Sequence, residues 1–527
     1  MLKALLFNTP DCIHGFDLLG KFPNLGLVSI AGNVDKDICD VKVADLVVVE
    51  DDAIEFARYL IRLHNPDIVG VSCMTFQYFT ALEIAKAAKE VDSSIPVVIG
   101  GYHPTLMFDE VSRSDDRNYV DFIIRSEGEA TFNELAKAMV GKMRLEDVAG
   151  LSYKNNGGFR HNPTRVLLDV NSIKLPDRDA RIIKEGFHAF GLPADTSETS
   201  RGCTFDCTFC CITRMYGRSL RKYPLERVMM DLEDAKRHGA KSIFFVDDNI
   251  TLDVKRLEKL CETIVEYGHD DMDYHIQASV QGISSSETLV KKMAKAGFKL
   301  VFLGIESISQ RNLAFLAPGK DRVGTHANTG KAVSYLRKYG MIVAGGFILG
   351  NPDDTEEDFW ATVDGAQMLK VDLPLFFLST PYPKTQLRED LLNMGLVANL
   401  DNYSQYNCLS ANVRTKTLSE DQIEFLLWKM YQKWFSHWKW LGWTHLRKNY
   451  PFYLARLVLK LYPRYLAKRL LLRMGLTNEM QLYLEDKIKM DNVYSVRGRP
   501  SMIEEETIKQ LQEKIVLAKD QIQTLTH

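Results

Sequence analysis

Short apolar runs alternate with longer amphipathic segments over the first 141 residues. The runs that predict strands are Ala4–Asn8, Val41–Val49, Ile68–Ser72, Pro96–Gly100 and Phe122–Ser126. Between them, segments such as Asp52–His64 and Thr80–Val91 carry apolar residues at intervals of three and four, which predicts helices. This alternation predicts βαβ units and a doubly wound, Rossmann-like parallel sheet, and we assign residues 1–145 to this first domain.

A second alternation of the same kind predicts a partial (β/α)6 barrel of the TIM type over residues 191–390. Its predicted strands are Lys241–Val246, Tyr274–Val280, Leu300–Leu303, Ile342–Leu349 and Leu375–Leu378. Residues 146–190 are predicted to connect the two domains. They contain a hairpin signal, in which Val148–Asn155 and Phe159–Leu167 flank an Asn-Asn-Gly-Gly turn. Residues 391–527 are predicted to be mainly helical.

Composition narrows the class of protein. A chain of 527 residues with 46% apolar and 26% charged residues is ordinary for a soluble protein of two or three domains. The net charge of −3 argues against nucleic-acid binding. Nine cysteines do not make a disulfide scaffold at this length, and neither a signal peptide nor an apolar run long enough for a transmembrane helix is present, so a cytoplasmic location is expected.

Three of the cysteines, Cys203, Cys207 and Cys210, stand at C-x3-C-x2-C spacing. Three thiolates in one loop suit a [4Fe–4S] cluster with one iron left open for a ligand. The alternatives are zinc and ordinary packing. A structural zinc site needs four ligands, and no second cysteine or histidine pair follows. Packing is our interpretation of the neighbouring Cys211.

This loop, with Phe209 directly before the last cysteine, resembles that of the radical S-adenosylmethionine (SAM) superfamily. The resemblance implies that the amino and carboxylate groups of SAM chelate the open iron. It also implies that an electron from the cluster cleaves SAM to a 5′-deoxyadenosyl radical, and that a donor such as flavodoxin or ferredoxin supplies that electron.

The predicted barrel strands end in polar residues and glycines that fit a SAM site. The resemblance implies that Asp247 and Asp248 meet the methionyl amino group and that Glu306 lies near SAM. It also implies a SAM site made with Phe209, Gln277, Ser279, Gly345, Gly346 and Gly350. The alternative for Asp248 and Asn249 is capping of a helix amino terminus.

Three loops at the carboxyl ends of the first-domain strands predict a second ligand site, because such sheets bind ligands there. These loops resemble those of the cobalamin-binding domain that precedes the radical SAM domain in one large subfamily. The residues concerned are Ser72, Gly100, Gly101, Tyr102, His103, Pro104, Glu127, Gly128 and Glu129. The alternative is a nucleotide-binding or empty domain of the same fold.

One departure concerns the lower cobalt ligand. Cobalamin domains that supply a histidine carry Asp-x-His-x-x-Gly, whereas here the sequence from Asp11 reads Asp-Cys-Ile-His-Gly. His14 is one place off, and the third residue after it is not glycine. We therefore predict that cobalamin binds without a histidine ligand.

The last region combines tryptophans with basic residues. Trp428, Trp434, Trp438, Trp440 and Trp443 cluster in a stretch that has no acidic residue between Glu424 and Glu479. In a predicted helix, one face carries Arg456, Lys460, Arg464 and Lys468, and another carries Leu454, Leu457, Val458 and Leu461. The pattern predicts either a helical lid over the barrel mouth or a peripheral membrane contact, and both favour a hydrophobic substrate. Pro463 is expected to kink or divide this helix, and Ser501–His527 predicts a polar helix for packing or self-association.

The resemblance implies a cobalamin-dependent radical SAM enzyme that methylates an unactivated carbon of a lipid, terpenoid, tetrapyrrole or natural product. A first alternative is oxidative cyclisation or carbon–carbon coupling without net methylation. A second is a non-catalytic protein that binds cobalamin or lipid.

Overall fold

A computed structural model describes residues 1–11, 19–49, 52–318, 325–436 and 440–496. His14, Trp438 and the predicted helix Ser501–His527 lie outside the described residues, as does the side chain of Arg464.

The first sheet is doubly wound and largely parallel. Its strands are β1 (Leu2–Asn8), β3 (Cys39–Asp45), β4 (Ile68–Ser72), β5 (Val97–Gly100), β6 (Phe122–Ile124), β7 (Leu151–Asn155) and β8 (Gly158–His161), whereas β2 (Gly20–Lys21) belongs to the second sheet. Across the described residues the order is β3-β1-β4-β5-β6-β7-β8. The β6–β7 and β7–β8 pairings are antiparallel, and the other pairings are parallel. The predicted hairpin is therefore present, and it extends the first sheet. The domain boundaries themselves stay predictions.

Helices cover both faces of this sheet. They are α1 (Leu25–Asn33), α2 (Ala53–His64), α3 (Tyr78–Val91), α4 (Tyr102–Leu106), α5 (Phe108–Arg113) and α6 (Gly128–Met139). One apolar core lies under α2 and α3 and another under α1 and α6. Burial on both faces explains why the strands read as nearly continuous apolar runs.

The second sheet confirms the partial barrel. Its remaining strands are β9 (His188–Ala189), β10 (Leu192–Ser197), β13 (Ser242–Phe245), β14 (Asp273–Ser279), β15 (Phe298–Glu306), β16 (Ile342–Leu349) and β17 (Leu373–Leu378). From β10 to β17, each strand of this sheet pairs in parallel with the next strand of the same sheet. A separate small ribbon joins β11 (Ser200–Arg201) to β12 (Arg221–Lys222). At the edge, β2 pairs with β9, so the first third of the chain contributes to the second sheet.

The barrel helices alternate with these strands along the chain, and the last helix follows β17. They are α7 (Ile212–Tyr216), α8 (Leu225–Arg237), α9 (Val254–Glu266), α10 (Val280–Ser285), α11 (Glu287–Lys295), α12 (Gln310–Leu316), α13 (Thr325–Lys338), α14 (Glu356–Leu369) and α15 (Gln386–Asn393). The buried residues of α8, α9, α10, α11, α13 and α14 share one large apolar core with the strands, whereas α12 and α15 contribute to a smaller apolar cluster.

A buried ion network ties the connector to the barrel. The Arg178 guanidinium donates to Asp195 at 2.9 Å, to Asp231 at 2.7 Å and to Asp234 at 2.9 Å. The Arg178 side chain is fully buried, so its charge is compensated by these carboxylates and not by water. This network fixes the connector against β10 and α8.

The carboxyl-terminal helices are α16 (Glu420–Ser436), α17 (Trp440–Trp443), α18 (Leu446–Asn449), α19 (Pro451–Arg473) and α20 (Glu479–Val496). Trp440 Nε1 donates to the Asp372 carbonyl at 2.6 Å, and the Tyr450 hydroxyl donates to Asp273 at 3.0 Å. Asp372 and Asp273 stand at the amino ends of β17 and β14, so the stretch from Trp440 to Tyr450 covers the end of the barrel opposite its mouth. The lid interpretation is therefore wrong for this segment.

Helix α19 runs without interruption through Pro463, so this proline does not divide the helix, and the predicted kink stays a prediction. Among the described residues, no helix combines the length and the apolar character that crossing a bilayer requires.

Candidate active site

One cavity of about 1010 Å³ lies between the carboxyl ends of the two sheets. On the first-sheet side it is lined by residues that follow β1, β4, β5 and β6. On the barrel side it is lined by the cysteine loop and by residues at the ends of the barrel strands. Both sets of predicted ligand loops therefore face the same space, as the rule for parallel strand ends requires.

The cysteine loop forms part of the cavity wall. Cys203, Cys207, Cys210 and Cys211 all line it. Thr208 is one residue that anchors the loop from outside, since it donates its N–H to the Leu316 carbonyl at 2.8 Å and its carbonyl accepts the Leu387 N–H at 2.9 Å.

The thiols of this loop suit a cluster that supplies positive iron. Burial raises the pKa of the Cys210 thiol, so the thiolate forms there only with a nearby positive charge. Among the described residues, no three His, Cys, Asp or Glu side chains already surround one point where a metal ion would bind, so the fit to a cluster rests on three thiols that line the same wall.

Asp248 connects the end of β13 to the start of the cysteine loop. Its carboxylate accepts the Gly202 N–H at 2.9 Å, and it also lines the cavity. Gly202 has φ +91°, and a Cβ there would lie 2.4 Å from the Ser219 carbonyl oxygen, so only glycine fits beside Cys203. Burial raises the pKa of Asp248 to about 6.

Asp247 turns away from the cavity and holds the strand before the loop. It accepts the Thr199 N–H at 2.8 Å, the Thr199 hydroxyl at 2.6 Å and the Ser200 hydroxyl at 2.7 Å. Burial raises the pKa of Asp247 to about 6. Of the two neighbouring carboxylates, the cavity-lining Asp248 is the one placed for a ligand, and Asp247 positions the loop.

The other residues predicted to bind SAM also differ in whether they line the cavity. Phe209, Gln277, Ser279, Glu306 and Gly346 line the cavity, whereas Gly345 and Gly350 do not. Glu306 has φ +64° at an irregularity between β15 and β16. A non-glycine residue in this region is strained, which is typical of functional positions.

Only some of the residues in the predicted cobalamin loops line the cavity. Ser72, Gly100, Gly101, Tyr102 and Gly128 line the cavity. His103 and Pro104 do not. The His103 ring is buried, with its centroid 4.2 Å from that of Tyr78 and 4.6 Å from that of Tyr403. Burial lowers the pKa of His103 to about 3, so this ring is neutral and packed.

Glu127 and Glu129 line the cavity while they bind the other half of the molecule. Arg201 donates to Glu127 at 2.9 Å and to Glu129 at 2.7 Å, and Arg221 also donates to Glu127 at 2.9 Å. Ser29 donates to Glu129 at 2.8 Å. These carboxylates therefore hold the cysteine loop against the first sheet, a role that the sequence did not indicate.

Sequence reasoning missed two further groups in the wall. The Cys408 thiol lies 3.2 Å from the Tyr382 hydroxyl, and both residues line the cavity. Asn8, at the end of β1, donates to Asp45 at 2.8 Å and accepts from Asn24 at 3.1 Å. Neither group forms a local motif, because its members come from distant parts of the chain.

Known proteins match both halves of the chain. The protein-family model of the B12 binding domain matches residues 15–136, and the protein-family model of the Radical SAM superfamily matches residues 197–366. An uncharacterised methyltransferase of Pyrococcus horikoshii is 34% identical over 411 residues, which are 78% of this chain and 87% of the relative. The chain belongs to the radical SAM superfamily, in its cobalamin-binding branch.

Two further comparisons place this family member. An anaerobic magnesium-protoporphyrin IX monomethyl ester cyclase of Cereibacter sphaeroides is 27% identical over 404 residues, which are 74% of this chain and 64% of the cyclase. Among solved structures, the radical SAM methyltransferase TsrM from Kitasatospora setae, with cobalamin and a [4Fe–4S] cluster bound, has a TM-score of 0.61 at 19% identity. The match covers 75% of this chain and 76% of TsrM. The likeness to TsrM shows a shared fold.

The cofactors of this radical SAM protein are cobalamin, SAM and a [4Fe–4S] cluster. The residues present fit them. Three thiols share one wall for the cluster, and glycine-containing loops of the first sheet face them across the cavity for cobalamin.

Proposed function

We propose that this radical SAM protein transfers a methyl group to an unactivated carbon of a hydrophobic substrate. The observation that supports this proposal is that the cysteine loop and the cobalamin-type loops line the same cavity. When bound, the cluster and SAM supply a 5′-deoxyadenosyl radical, and cobalamin supplies the methyl group. Such chemistry requires both cofactors within reach of one substrate carbon.

We assign the roles on the barrel side as follows. Cys203, Cys207 and Cys210 hold the cluster. Asp248 offers its carboxylate to the SAM ammonium, because it is the charged side chain at the end of β13 that lines the cavity. Glu306 takes a second polar position near SAM.

On the first-sheet side, Ser72, Gly100, Gly101, Tyr102 and Gly128 are proposed to contact cobalamin. Gly101 has φ +98°, and a Cβ there would lie 2.6 Å from the Cys73 carbonyl oxygen, so this turn requires glycine. His103 is packed away from the cavity, and we keep the prediction that cobalt has no histidine ligand.

The proposed substrate is hydrophobic, such as a lipid or a tetrapyrrole. Apolar side chains from both halves line the cavity, among them Leu25, Ile30, Phe132, Met215 and Leu387. The related cyclase is named for a magnesium porphyrin ester. An external donor such as flavodoxin or ferredoxin is proposed to reduce the cluster, and a peripheral membrane contact is proposed to bring the enzyme to its substrate.

The test is an anaerobic reconstitution with iron, sulfide and hydroxocobalamin, followed by incubation with a reduced electron donor such as flavodoxin and with SAM that carries a deuterated methyl group. Lipid and tetrapyrrole extracts serve as substrates. The expected product is heavier than its substrate by one deuterated methyl group in place of hydrogen. Protein with Cys203, Cys207 and Cys210 replaced by alanine is the control and yields no product. If that variant retains function, the protein is a binding protein and the proposal fails.

Oxidative cyclisation is the second candidate, and the relationship to the cyclase favours it. The two activities differ in product mass, because cyclisation adds no methyl carbon. SAM cleavage accompanied by an unlabelled product would therefore support the cyclase and contradict methylation.

A further inference from the structure

Helix α19 has an apolar face that is open to solvent. Phe452 is 90% exposed, Leu459 75%, Leu466 46% and Leu470 58%. Spacings of seven and four residues place these side chains in one stripe along the helix. We name these four residues the α19 stripe.

The opposite face of α19 accounts for the packing. Leu454 is buried in the barrel core, Val458 is half-buried against that core, and Leu457 is half-buried. Of the apolar face that the sequence indicated, Leu454, Leu457 and Val458 are wholly or partly buried, whereas Leu461 is 39% exposed. The α19 stripe is additional to that face.

Exposed cations flank the stripe on both sides. Arg456 and Lys460 lie along one edge, and Arg469 and Arg473 lie along the other. No acidic residue occurs in the sequence between Glu424 and Glu479, although the whole chain has a net charge of −3. The positive charge is thus concentrated where the apolar surface is exposed.

We propose that the α19 stripe and its four flanking cations bind an anionic lipid bilayer. The apolar side chains enter the boundary between headgroups and acyl chains, and the cations contact lipid phosphates. The partner follows from the charge pattern, because an apolar strip between two cationic edges matches a surface with an apolar interior and anionic headgroups. This inference deepens the proposed function by naming the membrane surface, but lipid binding itself requires no turnover.

A second copy of the chain fits this surface less well. Two stripes in contact would bring eight cations together with no acidic residue of either helix to compensate them, and like charges at that distance repel. An anionic bilayer provides the compensation that a second copy lacks.

The helix is attached firmly enough to orient the enzyme. Tyr450, which directly precedes α19, stacks on Phe190 with ring centroids 4.5 Å apart and an interplanar angle of 11°. Its hydroxyl also donates to Asp273 at the start of β14. Lipid binding by α19 would therefore place the amino end of the barrel at the membrane.

The test is co-sedimentation of the full-length holoenzyme with phosphatidylcholine vesicles that contain either no anionic lipid or about one third phosphatidylglycerol. We expect binding to the anionic vesicles alone, and weaker binding as salt is raised. Arg456→Gln and Arg469→Gln should each weaken binding roughly fivefold, the effect of one cation near such a surface. Leu459→Glu should weaken it at least about tenfold.

The matched control is Met368→Glu on α14, which adds the same charge at an apolar side chain that is 83% exposed. This variant should bind like the native protein. Absence of binding to anionic vesicles, or Leu459→Glu binding as well as Met368→Glu, overturns the proposal. So does a dimer in sedimentation velocity that Leu459→Glu dissociates while vesicles remain unbound. Because SAM cleavage is measured separately, loss of lipid binding with cleavage retained leaves the proposed function intact.

Discussion

Nη1 of Arg201 lies 2.9 Å from Oε1 of Glu127, and this contact joins the residue two positions before the first cluster cysteine to the loop that follows β6. The same guanidinium binds Glu129 and Glu198, so one cation compensates three carboxylates. Arg201 therefore links the cysteine loop to the first sheet, and Arg221 supports the same link through Glu127.

Arg201→Ala is predicted to lower the free energy of unfolding by about 3–5 kcal/mol, because it leaves buried carboxylates without a cation. Chemical denaturation of the anaerobic protein measures this. The control is Arg144→Ala, whose partner Asp147 lies at the surface, and it should change stability by less than about 1 kcal/mol. Equal effects of the two substitutions would contradict the coupling role of Arg201.

SAM affinity is predicted to depend on pH through Asp248. Burial raises the pKa of this carboxyl to about 6, so below that pH it is neutral and does not attract the SAM ammonium. Affinity should therefore rise as pH increases through about 6 and then level off. Binding titrations of the reconstituted protein at several pH values measure this.

Asp248→Asn should bind SAM weakly and remove most of this pH step, whereas Asp271→Asn, a change at an exposed carboxylate, should keep it. The stability effect has the opposite sign, since a raised pKa means that the folded state holds the proton more tightly. The Asp248 contribution to stability should fall as pH rises from about 4 to about 6. A pH-independent SAM affinity would rule out the assigned role.

The cluster assignment predicts different outcomes for two adjacent cysteines. Cys210→Ala should abolish the bound iron, the sulfide and SAM cleavage, because three thiolates are needed to hold the cluster. Cys211→Ala should retain all three, although Cys211 lines the same cavity. Iron and sulfide analysis and the yield of 5′-deoxyadenosine measure the outcome. Loss of the cluster in both variants would mean that the ligand set is wrong.

Sequence patterns predicted the strands that are apolar throughout. Ile342–Leu349 has the predicted bounds, since a strand buried on both faces has a recognisable composition. By contrast, β10, Leu192–Ser197, was missed because its sequence contains Pro, Asp, Thr and Ser. Its Asp195 is buried only because Arg178 and Arg181 bind it, and such pairs leave no local signal.

The candidate site shows the same contrast between signals within one short segment and contacts between distant residues. The cysteine spacing predicted the cluster loop, because all its residues lie within one short segment. Glu127 and Glu129 could not be distinguished from cofactor ligands, because their partner Arg201 is more than 70 residues away in the chain. His103 was grouped with the cobalamin loop by position alone, and its burial depends on Tyr403, which follows α15 and is distant in the chain.

The last prediction concerns Arg178, whose buried guanidinium donates to Asp195, Asp231 and Asp234. Arg178→Met keeps much of the side-chain volume but removes the charge, so Asp231 on α8 loses its arginine partner and Asp195 on β10 keeps only Arg181. The free energy of unfolding should fall by about 3–5 kcal/mol. Arg113→Met, at a side chain that is 76% exposed and paired with Asp109, is the matched control and should change it by less than about 1 kcal/mol. Urea unfolding of both variants decides the matter, and a small effect of Arg178→Met would show that the connector is held by its apolar contacts instead.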